Sequence, residues 1–421
     1  MSRSTQESSW HRADVVMIGG GLVGASLAIA LSGSGLSMLM IEGVTPDASQ
    51  QPSFDDRTTA LGNGSRKIFE TLGVWSMISP HAAPIRRIHV SDAGRFGFAR
   101  LDCREHDLEA FGYVVTNRQL GAALQARLSE LPDLDLRRPA VCTQIEEVDD
   151  GLIVHTDTGA PVLAKLVIGA DGAKSLVRAS AGLPAEVEDY GQTALIAHVQ
   201  TSRPADGTAY ERFTSRGPFA VLPLVGGHYG VVWTLDPAEA ERVLALDEQD
   251  FLAALQQQFG WRIGRLLRAG KRQTYPLKLS RAPQIVGPRR VLIGNAAQAL
   301  HPVAGQGFNL GLRDAATLAE VLSAQSQQSV GDAAVLSQAL LAYAEARERD
   351  RTGITRFTDG LVKVFSREDP LVPALRDLAL LLFDLSPQAK QAMSRLSWGF
   401  AKEMPRLARG DRLRTGVSGQ P

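Results

Sequence analysis

The sequence predicts an α/β fold: a parallel-sheet domain assembled from discontinuous segments, a separate β-sheet domain and a helical C-terminal region. Three observations carry this prediction. Residues 14 to 43 read as strand, glycine turn, helix and second strand; residues 185 to 280 are β-rich; residues beyond 335 carry helical patterning.

The opening unit is "DVVMIGGGLVGASLAIALSGSGLSMLMIEG", with strands expected at Val15 to Ile18 and Ser37 to Glu42 around a helix from Leu22 to Ser32. "TNRQLGAALQARLSEL" follows with Leu120, Leu124 and Leu128 at helical spacing. "LIVHTDTGAPVLAKLVIGADG" alternates as a hairpin and ends in an apolar strand that runs into a glycine turn. Runs such as "FAVLPLVGGHYGVVWTL" then read as strands, with Gly226 and Gly227 supplying a hairpin turn. "VLIGNAAQALHPVAGQGFNLGLRD", residues 291 to 314, adds a further strand and helix, so the first domain draws on three pieces of chain.

The bulk numbers narrow the function classes. A chain of 421 residues with 44% apolar content can bury a large core, and at roughly 150 residues per domain it predicts two or three domains. Its 45 basic residues cancel its 45 acidic ones, so the balance lacks the basic surface that duplex nucleic acid demands. Cys103 and Cys142 have no metal-ligand or CxxC spacing, which fits reduced, ordinary thiols and no metal. The polar start "MSRSTQESSWHRAD" lacks the apolar core of a signal peptide, and no uncharged apolar run reaches the ~18 residues a bilayer requires. A cytoplasmic protein is expected, with peripheral contact at the inner membrane.

The chemistry begins at Gly19-x-Gly21-x-x-Gly24. This motif follows a strand and opens a helix, and Glu42 ends the next strand 18 residues beyond Gly24. Such glycines let backbone approach a pyrophosphate at a helix N-terminus, while the acid can accept hydrogen bonds from a ribose. The unit is Rossmann-like and fits NAD or FAD equally. Two later motifs separate them: "VIGADGAKSLVR", with Asp171 and Gly172 at a strand end, and "GNAAQALHPVAGQGFNLGLRD".

Taken together, the three ordered motifs resemble those of the group A flavoprotein aromatic hydroxylases, which share the fold of para-hydroxybenzoate hydroxylase. The resemblance runs from about residue 13 to 345. "FDDRTTALGNGS", "HVSDAG", "YERFTSRGPFAVLPL" and the third motif narrow it to the ubiquinone-biosynthesis branch, on the side of the 2-polyprenyl-6-methoxyphenol hydroxylases. By that resemblance, residues 13–75, 111–182 and 283–345 form an FAD-binding domain, and 76–110 with 183–282 a substrate-binding sheet domain. Residues 346–421 form a helical region with a basic tail.

The resemblance also implies roles. Gly19, Gly21, Gly24 and Glu42 hold the ADP half of FAD, Arg57 lies at the flavin side, and Arg118 meets the ribityl or pyrophosphate region. Asp171 and Gly172 belong to a motif for both FAD and NAD(P)H. Asn295 reaches the ribityl chain, Pro302 runs beside the isoalloxazine, and Gly305, Gln306, Gly307 and Asn309 start a helix aimed at the flavin's pyrimidine end. The wider group usually reads GDAAH where this chain has Gly294-Asn295-Ala296-Ala297-Gln298; losing that charge weakens a hydrogen bond by about 1 kcal/mol. The implied reaction is para-hydroxylation of a polyprenyl phenol with O2 and transient NAD(P)H through a flavin hydroperoxide. No residue announces itself as the general base, and His301 and Pro302 are the catalytic candidates by position. A hydride-transferring flavin dehydrogenase, a sister hydroxylase acting elsewhere on the ring, and a lipid-carrying scaffold are the rival readings.

From Pro387 to the C-terminus seven basic residues meet two acidic ones among Leu, Phe and Trp. That composition suits an amphipathic helix on a membrane surface or on a partner in a ubiquinone-biosynthesis multi-enzyme complex.

Overall fold

The computed structural model describes residues 10–45, 55–93, 97–300, 305–366 and 404–413. His301, Pro302 and most of the basic segment beyond Pro387 lie outside the described residues.

One sheet has five parallel strands at its centre: Arg290–Leu292, Val162–Gly169, His11–Ile18, Met38–Ile41 and Leu134–Arg137, in that spatial order. The central strands Val162–Gly169, His11–Ile18 and Met38–Ile41 are rich in Val, Ile, Leu and Met because both faces are covered, whereas the edge strand Leu134–Arg137 alternates apolar with charged residues. Three segments far apart in sequence meet here. Gly151–Thr156 pairs antiparallel with Val162–Gly169, the hairpin read from the sequence, and Cys142–Val148 adds antiparallel to Gly151–Thr156.

The helix Leu22–Leu31 buries seven of its ten residues, as an almost uniformly apolar sequence must. Gln306–Ser323 packs beside it, and Ala333–Ser366 packs on Gln306–Ser323. No helix among the described residues is long and apolar enough to cross a membrane.

The second sheet has nine strands and is mostly antiparallel. Its main path runs Gln298–Ala299, Gln273–Arg281, Glu186–Thr201, Tyr229–Leu235, Gly217–Pro223, Thr208–Thr214, Arg87–Asp92, Phe98–Asp102. Alternation divides its faces. Leu195, Ala197, Val199, Phe219, Val221, Val231 and Trp233 form a core with Val243, Phe251, Leu255 and Phe259 of the helices Pro237–Ala245 and Glu248–Phe259. The intervening residues Ala194, Ile196, Ala220, Leu222 and Val232 look the other way, into a cavity. A three-stranded sheet, Thr58–Gly62, Gly112–Thr116 and Ala83–Ile85, lies at the same cavity through Thr58, Ala60, Gly62 and Gly112.

Candidate active site

One cavity of about 1370 Å³ runs from the glycine turn after the first strand to the apolar face of the nine-stranded sheet. Pockets for single drug-sized ligands span roughly 300–1,000 Å³, so this volume suits a large cofactor together with a second molecule.

The glycine end is built by close packing. Gly19 has φ +103°, and a methyl there would meet the Ala170 carbonyl oxygen at 2.4 Å. A methyl on Gly24 would sit 2.0 Å from the Gly19 carbonyl oxygen, so this position needs glycine for strand and helix to touch. Gly19 and Gly21 line the cavity, whereas Gly24 lies behind them as a packing residue. Glu42, 9% exposed, accepts from the Gly20 N–H at 2.6 Å on Oε2 and from the Val44 N–H at 2.9 Å on Oε1. Its carboxylate therefore fixes the glycine turn and still borders the cavity.

Two helix N-termini face this space, and both lack a side-chain cap. Leu22–Leu31 follows Gly21, and Gln306–Ser323 follows Gly305, whose φ is +60°. A capped helix such as Glu248–Phe259 differs, since Asp247 accepts from the Asp250 N–H at 2.8 Å and occupies that end. Uncapped termini leave N–H groups and the positive dipole end available to an anion.

Asp171 uses Oδ2 to accept from the Leu176 and Val177 N–H groups, at 2.7 and 3.2 Å. Its Oδ1 is buried with no hydrogen-bond partner among the described residues, and Asp171 lines the cavity beside Gly172. A buried carboxylate oxygen of this kind is an acceptor waiting for a ligand hydroxyl.

The other expected residues divide. Arg57 lines the cavity, pairs through Nε with Asp55 Oδ2, and lies 4.8 Å over the Tyr275 ring. Tyr275 donates its hydroxyl to the same carboxylate at 3.3 Å. Asn295, Gly305, Gln306, Gly307 and Asn309 also border the cavity. Asn309 is committed to architecture: Oδ1 accepts from the Gly62 N–H at 2.9 Å and the Ser65 hydroxyl at 2.6 Å, while Nδ2 donates to Ala60 O at 2.7 Å and Gly305 O at 2.9 Å. Arg118 is not in the lining; its guanidinium is 58% exposed and bonds Asp56 at 3.1 Å.

Gln298 occupies a different place from Asn295 in the same motif. It is 3% exposed, donates to Asp314 Oδ2 at 2.7 Å and accepts from Arg351 Nε. Asp314, fully buried, also accepts from the Gly294 N–H at 3.1 Å and from Arg347 Nε at 2.8 Å. This network holds the Asn295 turn from behind. Spacing alone could not reveal it, because its members come from three elements.

Burial first, then the charge of Asp171, pushes the Cys142 thiol up to about 12. Sequence reading also missed Glu211. It stands on the cavity face of Thr208–Thr214, and burial alone raises its carboxyl to about 7.

Residues 12–358 match the FAD binding domain family. A ubiquinone hydroxylase, UbiL, of Rhodospirillum rubrum is 38% identical over 402 residues, covering 94% of this chain and 93% of that one. A 3-demethoxyubiquinol 3-hydroxylase of Escherichia coli is 32% identical, over 87% of this chain and 94% of its own. Among solved structures, PqsL of Pseudomonas aeruginosa superposes with a TM-score of 0.74 at 18% identity, over 88% of this chain and 100% of that one, a likeness of fold. With its glycine turn, its open helix ends and these matches along nearly its whole length, the chain belongs to the FAD binding domain family and, within it, to the ubiquinone hydroxylases.

Proposed function

We propose that the chain hydroxylates the ring of a polyprenyl phenol in ubiquinone biosynthesis, para to the ring hydroxyl, using FAD, NAD(P)H and O2. The observation that carries this reading is one cavity that joins a glycine-lined, anion-ready end to an apolar sheet face.

The residues present fit FAD. Gly19, Gly21 and the open end of Leu22–Leu31 would receive the pyrophosphate, with Glu42 and the unpartnered Asp171 Oδ1 as acceptors for its hydroxyls. Gly305, Gln306 and Gly307 would meet the flavin's pyrimidine end with backbone N–H groups, favouring negative charge there. Bound FAD supplies the redox chemistry that activates O2 with electrons from NAD(P)H.

The chain's own work is positioning and exclusion of water. Ile88, Val90, Ala194, Ile196, Ala220, Leu222 and Val232 form an apolar wall that can hold a ring and the start of a prenyl tail. Arg57, clamped by Asp55 and Tyr275, is a fixed cation between the two ends. A dry, preorganised site lets a ring carbon meet its oxygen donor at productive distance.

The name of the Escherichia coli relative supports a second reading, hydroxylation at another ring position. Replacing the gene and weighing the accumulated quinone precursor separates the two. A methoxyphenol lacking the para hydroxyl supports the first reading; a demethoxy intermediate supports the second. Oxygen uptake without oxygen in the product would instead make the protein a reductase. We also propose peripheral contact with a membrane or pathway partner, since such a substrate partitions into lipid. Truncation at Pro387 that leaves membrane co-sedimentation intact would remove that role from the C-terminal segment.

A further inference from the structure

We propose that Glu211 is the catalytic base of this site, taking the proton from the substrate's ring hydroxyl. The inference rests on the hydroxylase reading above and adds the group that activates the ring.

Glu211 lies on Thr208–Thr214, paired with Val90 on one side and Ala220 on the other. Its neighbours on the cavity face, Ala209, Phe213, Val90, Ala220 and Leu222, are apolar. Among the described lining residues contributed by the nine-stranded sheet, it is the only carboxylate. Oε1 is buried and has no hydrogen-bond partner among the described residues.

An acid on a strand could be a surface residue or half of an ion pair. Neither describes Glu211. The packing strands offer Val90 and Ala220, and no cation offsets the burial that raises its carboxyl. The charged and titratable groups elsewhere in the lining are Arg57, Tyr210, Tyr275 and Lys278 of the sheet side and Glu42, Cys142, Asp171 and Lys174 of the glycine side. An unpaired acid in an apolar wall costs stability unless a ligand satisfies it. A phenol hydroxyl is such a ligand, since it brings a donor to an unused acceptor while its ring lies against Val90, Ala220 and Leu222.

The step is a proton transfer. The phenol O–H bond breaks as the ring carbon takes its oxygen, and the proton bonds to a Glu211 carboxylate oxygen. The O–H electron pair stays on the phenol oxygen and feeds the ring. When the oxygenated carbon loses its hydrogen to water and the ring becomes aromatic again, Glu211 returns a proton to the same oxygen. No oxidant beyond the O2 of the proposed hydroxylation is required. A base whose affinity lies close to working pH suits this role.

The test uses the flavin-loaded full chain with a short-chain prenyl phenol, comparing the parent with Glu211→Gln and Glu211→Ala. Glu211→Gln keeps the shape and should fold. Its hydroxylation rate should fall on the order of 100-fold with KM changed by only a few-fold, and the acid limb near the carboxyl's own pKa should vanish. Ring fluorination, which acidifies the phenol, should restore much of the loss in both variants. A visible readout comes from bound 4-nitrophenol, whose ionisation should move to lower pH in Glu211→Gln, because the carboxylate that repels the phenolate is gone. Parent enzyme that hydroxylates while Glu211→Gln matches its rate and pH profile would overturn the proposal alone. A parent that puts oxygen into no phenol would overturn the hydroxylase reading instead.

Discussion

Adding one methyl group at Gly24 puts it 2.0 Å from a backbone oxygen that has nowhere to go. Gly24→Ala should destabilise the chain by about 1–3 kcal/mol and yield protein with little flavin, read from the visible spectrum after purification. Glu211 makes the opposite prediction. Its carboxyl lies near 4.5 in an unfolded chain and at about 7 in the fold, so it destabilises the native state as pH rises through that window. Below the unfolded value both states are protonated and there is no penalty. Glu211→Gln should therefore unfold at higher urea than the parent at pH 8, by up to about 3 kcal/mol, with no gain at pH 4. An equal gain at both pH values would mean the effect is not the charge. These two residues also show what was legible. Gly24 announces itself because its spacing from Gly19 and Gly21 encodes a close approach, whereas Glu211 hides. An acid alternating with apolar residues reads as the solvent side of a strand, and only the fold reveals that this side faces a cavity.

The motif from residue 291 to 314 was legible as an element and not as a network. Strand and helix form as the pattern requires, with Arg290–Leu292 and Gln306–Ser323 in place. What the pattern could not convey is that Gln298 and Asp314 turn inward to Arg347 and Arg351 of a later helix. The carboxylates of Asp314 and Asp350 overcome the burial that opposes the Arg347 charge and hold it above its ordinary value. Asp350 is likewise held below its ordinary value, since Arg313 and Arg347 outweigh its burial. Its contribution is full above the usual aspartate range and is lost as pH falls below it. Removing one partner leaves a charge without company, so Asp314→Ala should lose about 3 kcal/mol in urea unfolding at pH 7. Because Asp314 also holds the Gly294 N–H, the same variant should release flavin more readily than its lower stability alone explains. Arg118, expected at the cofactor from its motif, pairs with Asp56 through its guanidinium.

At the scale of the molecule, the function follows from a sheet with two different neighbours. One face of the nine-stranded sheet is packed by helices, and the other is left to a cavity that the glycine-turn domain closes from across it. The two textures of sequence foretold two sheets, because continuous apolar runs and alternating runs are buried differently. They could not foretell that, among the described residues, one apolar face of the second sheet borders a cavity while helices pack the other. That division predicts that the two ends of the cavity can be impaired separately. Ala220 lies on the wall, on a different sheet from the turn of Gly19 and Gly21, and Ala220→Phe would fill space there while leaving the open helix ends untouched. The variant should purify with the parent's flavin content and show a KM for a prenyl phenol raised at least ten-fold, since about 1.4 kcal/mol of lost contact is a factor of ten. Unchanged KM with lost flavin would reverse the assignment of the two ends, and with it the proposed place of the ring.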